Sequence, residues 1–164
     1  MEKNVNPEMQ KISDKIKDIK TAMLVTAEED GSLHSRPMQT LQIEGTDLLF
    51  LTGYGSNKTQ EIKNDSHVNV SFANESDKVY VSVSGKATIS KDPKKIDELW
   101  NPVFKAWFPE GKDDPNVAIL RVAVNSAEYW DSSGSAVVHA IGFVKATLTG
   151  EQYKPGDHDK IQVD

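Results

Sequence analysis

From residue 22 onward the chain is a succession of short apolar or alternating runs separated by turn signals, and that spacing constrains its fold more than any other feature. Residues 22–27 are apolar and lead into Glu29-Asp30-Gly31, a hairpin signal. A second run, 33–43, is interrupted by Pro37, which cannot donate to a ladder and so marks an edge, a bulge or backbone reserved for another purpose. Glu44-Gly45-Thr46-Asp47 turns the chain into a third run, 48–52. Val68, Val70 and Phe72, then Val79, Val81 and Val83, alternate with polar residues across a turn at 74–77, as a half-buried antiparallel hairpin does. Gly85 marks a bend in a strand continuing to Ser90, and 117–124 is a further run, followed by Glu128-Tyr129-Trp130-Asp131. A parallel sheet would need a helix between most strands, and those helices are missing. The expectation is therefore a mainly β fold, a six-stranded antiparallel barrel with flanking helices.

The helices are few and separated. Asn6-Pro7-Glu8 reads as a capped start, with Met9, Ile12, Ile16 and Ile19 at helical spacing and an end near Lys20. Ser56 is placed to cap a short helix over 57–64, and Asp92-Pro93 opens another whose apolar face carries Ile96, Leu99, Trp100 and Val103 before Pro102 ends or kinks it. Residues 136–148 form an apolar stretch of helical length that ends at Gly150. At 164 residues the chain suits one domain, over 1–150, with 151–164 as a loose polar tail. Hydrophobic content is 37%, slightly low for a globular chain even after allowing for ten Gly, so a partner subunit would usefully extend the core.

Composition excludes several classes. With no cysteine there is no disulfide, thiol nucleophile, thiolate metal site or iron–sulfur cluster. A net charge of −6 argues against a nucleic-acid binder, and no apolar run approaches the roughly 20 residues that span a bilayer. Met1-Glu2-Lys3-Asn4 lacks the apolar core of a signal peptide, so a cytoplasmic location is expected. The four histidines form no HxxxH or HExxH pair, and no metal site is expected, although ligands can still assemble in space. Gly156-Asp157-His158-Asp159 could weakly hold a divalent ion; the alternative, favoured here, is that His158 is part of a solvated tail. Neither a GxSxG elbow nor a GxGxxG or GxxxxGK[ST] fingerprint is present, and no residue stands out as a catalytic acid or base.

One segment offers chemistry. Leu51-Thr52-Gly53-Tyr54-Gly55-Ser56-Asn57-Lys58 runs from a strand end through a glycine-containing loop to a helix start bearing Ser and Lys, the elements of an anion site. The alternative is a capped surface helix with an ordinary Lys. Of 19 basic residues only Arg36 and Arg121 are Arg, whose planar fork Lys cannot imitate. If the 33–43 and 48–52 runs are hairpin neighbours, Arg36 and Lys58 approach one phosphate; otherwise Arg36 serves in a surface ion pair. Arg121, inside an apolar run, is expected to pair with a carboxylate, within the chain or across an interface. Trp100 suits core packing, whereas Trp107 and Trp130 lie where aromatics meet a ligand or a subunit.

Taken as a set, Ser35-Arg36-Pro37-Met38 after the Asp-Gly turn, Thr52 with Ser56-x-Lys58, and Val83-Ser84-Gly85-Lys86-Ala87 resemble the pyridoxamine 5′-phosphate oxidase-like flavoproteins. Lys105-Ala106-Trp107-Phe108-Pro109-Glu110-Gly111, Asp114-Pro115 and Glu128-Tyr129-Trp130-Asp131 are similar to the bacterial general stress protein branch of that family. The resemblance spans roughly residues 8–150. It implies a split β-barrel that binds FMN at a homodimer interface, with FAD, a deazaflavin or haem as the alternatives the superfamily offers. On that likeness Arg36, Pro37 and Met38 flank the flavin ring and its phosphate arm, and Leu51 and Thr52 line the flavin edge. Ser56, Asn57 and Lys58 take the phosphate, Trp107 covers the pocket, and Trp130 approaches from the second subunit. The oxidase's paired phosphate-loop Arg is here Asn57, and its C-terminal Arg-x-His substrate motif is replaced by Asp131-Ser132-Ser133-Gly134, so pyridoxamine phosphate oxidation is not implied. The resemblance implies either an FMN-dependent oxidoreductase acting on a small substrate in a stress response, or a flavin-binding protein without turnover that serves as sensor, carrier or buffer.

Overall fold

Among the described residues eight strands form one antiparallel sheet: β1 (Thr21–Ala27), β2 (Leu33–Gln39), β3 (Gln42–Glu44), β4 (Asp47–Gly53), β5 (His67–Asn74), β6 (Val79–Ser90), β7 (Val117–Asp131) and β8 (Asp157–Gln162). Their order is β2-β1-β5-β6-β7-β4-β3, and β8 pairs with β7 beyond the end of β4. Four α-helices among the described residues flank the sheet: α1 (Pro7–Ile16), α2 (Asn57–Asn64), α3 (Pro93–Leu99) and α4 (Ala136–Thr149). This computed structural model describes residues 6–39, 42–134, 136–154 and 156–163; the Met1-to-Asn4 segment, residues 40–41 of the 33–43 run, and Ser135 lie outside the described residues. The mainly β antiparallel class and split barrel expected from the sequence are what the chain adopts.

Two differences separate eight strands from six. The single run at 33–43 comprises two strands, β2 bonded to β1 and β3 bonded to β4. Consequently β2 and β4 are not ladder partners, contrary to the expected hairpin. The second difference is at the C-terminus, where residues 157–162, expected as loose tail, form β8 along β7. A mostly charged strand conceals its two anchors from a composition reading: Ile161 and Val163 are buried in the main core while their neighbours face water.

Alternation explains that core. Val68, Val70 and Phe72 of β5 and Val79, Val81 and Val83 of β6 all point inward, with Phe72 opposite Val81 and Val70 opposite Val83. On the outer face Asn69 donates to Ser82 Oγ at 2.9 Å. Helix α1 starts where the sequence indicates, the Asn6 side chain accepting the Glu8 N–H at 2.8 Å, and it buries Met9, Ile12 and Ile16 against the inner face. It stops at Ile16, short of Lys20, yet Ile19 still reaches the core. Lys15 fastens α1 to β7, 2.6 Å from Asp131 and above the Tyr129 ring. Burial and a hydrogen bond to Asp157 push the Tyr129 hydroxyl up to about 12, so it stays protonated there.

Strand β4 is buried on both faces, which creates a second core. Leu48 and Phe50 join the main cluster, while Leu49 faces outward to meet Ile96 of α3, Phe108, and Val117 and Ile119 of β7. Trp100 packs at the edge of this cluster as expected, its ring centroid 5.9 Å from Phe104. Pro102 opens a 3-10 turn over Pro102–Ala106, leaving Val103 exposed rather than on the α3 face. Arg121 of β7 meets Asp47 at 2.7 Å within the same chain, the carboxylate pairing expected of it.

Where β7 exchanges β4 for β8, its register against β6 shifts between Ser84 and Gly85. A Cβ on Gly85 would collide with the backbone carbonyl oxygen of Ala123, so only glycine permits this close crossing. Gly85→Ala should therefore destabilise the fold by about 2 kcal/mol or more in urea denaturation. Ile161→Ala should cost about 2–4 kcal/mol in the same assay, whereas a loose tail would register no change.

Candidate functional site

The pairing of β4 with β7 ends at Gly53 opposite Val117, and the loop that follows is clamped by the residue before β7. The Asn116 carbonyl accepts the Tyr54 N–H at 2.7 Å, and its side-chain oxygen accepts the Gly55 N–H at 2.9 Å. A Cβ on Gly53 would lie 3.1 Å from the Asn116 amide, tighter than ordinary packing. This clamp aims the loop into α2. Ser56 occupies the N-cap position, but its hydroxyl donates back to the Gly53 carbonyl at 2.8 Å and caps none of the α2 amides. The first turn of α2 thus keeps the electropositive character that attracts anions.

Beside that helix start lies a cavity of about 540 Å³, within the size range of small-molecule sites. Pro37, Met38 and Gln39 of β2, Leu51, Thr52 and Gly53 of β4, and Ser56 and Lys58 line it, with Phe104, Trp107 and Phe108 as an aromatic wall. Among the described residues, the buried Thr52 hydroxyl has no hydrogen-bond partner, which is costly unless a ligand supplies one. The Lys58 ammonium likewise has no hydrogen bond or ion pair among the described residues. Burial foremost, and then the Arg36 charge, draw its pKa below the usual lysine value, a cation held ready for an incoming anion.

Of the ten residues that the sequence nominates, seven converge on this cavity: Pro37, Met38, Leu51, Thr52, Ser56, Lys58 and Trp107. Asn57, exposed at the first position of α2, is not among its walls. Trp130 lies elsewhere on the same chain, stacked on His158 at 5.2 Å. His158 also meets Glu128 at 2.8 Å, so it belongs to the β7–β8 pair rather than to a solvated tail.

Arg36 points inward from β2 and engages a residue that sequence spacing did not reveal. Its guanidinium donates to Thr26 Oγ1 at 2.5 Å and to Glu61 Oε2 at 2.9 Å, and the Thr26 hydroxyl itself donates to Glu61. Glu61 lies three residues beyond Lys58 on α2, so this network carries the Arg36 charge to the helix that bears Lys58. Burial pushes the Glu61 carboxyl up, but the Thr26 hydrogen bond and the Arg36 charge outweigh it and hold it below the ordinary 4.5. Glu28 and His34 bring two further ligand-type atoms near Glu61, all within 4.8 Å of one another. The neighbouring Arg36 and Lys58 charges disfavour a cation there. Phe104, Phe108 and the Asn116 clamp were also unforeseen, although Asp114-Pro115-Asn116 immediately before a β run is a turn signal available in the sequence.

An antiparallel split barrel with an apolar cleft beside a strand–loop–helix junction is the fold class to which the sequence motifs point. The chain belongs to the pyridoxamine 5′-phosphate oxidase-like family, whose sequence profile matches residues 7–154. Among curated relatives, protein bli-3 of Neurospora crassa is 34% identical over 154 residues, covering 87% of this chain and 72% of its own. General stress protein 26 of Bacillus subtilis is 33% identical over 116 residues, covering 69% of this chain and 81% of its own. Among solved structures, the general stress FMN/FAD binding protein of Xanthomonas citri is 31% identical with a TM-score of 0.66, over 77% of this chain and 89% of that one.

The Glu61 network yields a pH prediction. A carboxyl held below 4.5 in the folded chain contributes stability that is present above about pH 4.5 and lost as pH falls through its folded pKa. Glu61→Gln should cost about 2 kcal/mol at neutral pH, since both side chains are largely buried at 10% and 21% exposure. It should also flatten the loss of stability below about pH 4.5, as measured by urea midpoints across the acid range.

Proposed function

We propose that this chain is a general stress protein that binds FMN in the Lys58 cavity and acts as a flavin-dependent oxidoreductase on a small substrate. The carrying observation is the union, in one cleft, of an unpaired Lys58 ammonium and an unsatisfied Thr52 hydroxyl with an aromatic wall. These donors suit a phosphate-bearing aromatic ligand. Lys58, the α2 amides and the Ser56 loop would hold the phosphate, while Arg36, its charge offset by Glu61, adds little positive charge of its own. Thr52 would donate to a polar edge of the ring system, with Pro37, Met38 and Leu51 against its face and Trp107, Phe104 and Phe108 excluding water. A bound flavin supplies the electron-transfer chemistry, which no side chain of this cysteine-free protein offers. Trp130, 40% exposed and away from its own chain's cavity, suits the site of a second copy in a cytoplasmic homodimer.

A second reading has its own support: among the described residues neither carboxylate nor imidazole lines the cavity, so proton transfer would fall to the substrate, to water or to the flavin itself. That favours a flavin-binding protein without turnover, a sensor, carrier or buffer. The two separate on kinetics, since rapid NADH or NADPH oxidation by the loaded protein supports the enzyme and its absence supports the carrier.

Flavin binding itself is tested by spectrum and titration. The purified protein should be yellow and release FMN on denaturation; a colourless protein that ignores added FMN sinks the proposal. Lys58→Ala should weaken FMN about 10–100-fold, the value of a charge-assisted contact, and leave riboflavin affinity unchanged. Equal losses for both ligands would remove Lys58 from the phosphate site.

A further inference from the structure

The lysines of this chain differ in the company their ammonium groups keep. Lys11, Lys15, Lys95 and Lys112 each meet a carboxylate, and hydrogen bonds to Glu44 and Asp97 raise the pKa of Lys95 and Lys112. Lys58 goes the other way. Its ammonium makes no hydrogen bond or ion pair among the described residues, and burial and then the Arg36 charge lower its pKa against the weaker pull of Glu61. Its place in the first turn of α2 adds the positive end of the helix dipole. A lysine that is desolvated and set beside other positive charge spends more time as the neutral amine, which is the nucleophile. With no cysteine in the chain, no thiol competes with it for an electrophile.

We infer that Lys58 is also a carbonyl-reactive amine, which in the flavin-free protein captures an aromatic aldehyde in the cavity as an imine. The walls select that class of electrophile. Phe104, Trp107 and Phe108 offer a planar ring an apolar surface, and the cavity of about 540 Å³ has room for it. The Thr52 hydroxyl, 3% exposed and without a hydrogen-bond partner, lines the same cavity and can donate to the aldehyde oxygen as negative charge develops there. The Lys58 Nζ lone pair attacks the carbonyl carbon, a C–N bond forms, and the oxygen gains the proton that the nitrogen loses. The carbinolamine then expels water to leave a C=N bond, so nothing is oxidised or reduced and hydrolysis reverses the capture. An amine and an aldehyde condense in this way without a dedicated acid or base, which suits a cavity that neither carboxylate nor imidazole lines among the described residues. Flavin phosphate and aldehyde would compete for the one nitrogen, so the two uses of the cavity exclude each other.

The test traps the full-length protein, dialysed free of flavin, with benzaldehyde and sodium cyanoborohydride, whose hydride reduces the imine to a stable secondary amine. At limiting aldehyde, peptide mass mapping should find the benzyl adduct on Lys58 ahead of the exposed Lys20 and Lys86. Adducts spread over the exposed lysines, with Lys58 no faster than Lys20 or Lys86, overturn the inference. Lys58→Arg keeps a cation but forms no imine, and should lose the fast adduct with an unchanged far-UV circular dichroism spectrum. A fast adduct that survives in this variant overturns the inference as well, and the wild-type map stands by itself if the variant misfolds. With each aldehyde referred to its rate on N-acetyl-lysine, benzaldehyde should be favoured over propanal about tenfold, the worth of burying one ring. Equal relative rates would remove the aromatic wall from the reaction and overturn the inference. Added FMN separates this inference from the flavin reading. Loss of the Lys58 adduct in FMN supports capture in the cavity, while a Lys58 adduct that FMN leaves untouched supports the reactive amine and defeats only the flavin phosphate placement. A protein that binds FMN yet traps no aldehyde at Lys58 once flavin is removed defeats the amine alone.

Discussion

Everything in this fold is referred to β7, which satisfies its inner edge along β6 and divides its outer edge between β4 and β8. A strand can change partners in this way only if the sheet shifts register and bends, and the bulge at Gly85 supplies that bend. The close approach of the Ala123 carbonyl leaves no room for a side chain at Gly85. The β4 half of β7 then builds the cavity end of the molecule, because its pairing stops at Gly53 and sets the following loop beside Asn116. The β8 half closes the other end by burying Ile161 and Val163. One backbone constraint therefore governs both the cleft and the seal of the core.

The site combines two different economies of charge. Lys58 makes no hydrogen bond or ion pair among the described residues and is partly desolvated, with both the Arg36 and the Glu61 charges acting on it. Arg36 is fully engaged with Thr26 and Glu61, and in exchange its position is fixed. A positioned but neutralised guanidinium beside a free ammonium gives a shallow positive field rather than a concentrated one. Such a field suits a single phosphate in an otherwise acidic protein.

Much of the fold was legible because alternation with period two survives in the sequence wherever one face is buried, as in the Val68–Phe72 and Val79–Val83 segments. It failed for β8, where a single inward Ile161 among charged neighbours leaves no pattern to read. It blurred the 33–43 run, where two strands with different partners read as one. In the site, the loop from Thr52 to Lys58 was legible because its residues are contiguous and chemically distinct. Glu61 was not, since a Glu in the middle of a polar helix looks like solvated surface until the ladder between β1 and β2 brings Thr26 and Arg36 to it.

By itself the sequence determined the strand-rich class, the position of the helix starts, the dependence of any redox role on a borrowed cofactor, and the residues best suited to an anion. These follow from local rules of spacing, capping and composition, which need no knowledge of distant contacts. Tertiary structure alone decided that β2 and β4 are not paired, that Arg36 is tied to Glu61, and that Lys58 stands free beside an aromatic wall. Each of these depends on which segments far apart in the chain share a surface, and burial and charge pairing there are properties of the assembled sheet rather than of any run of residues.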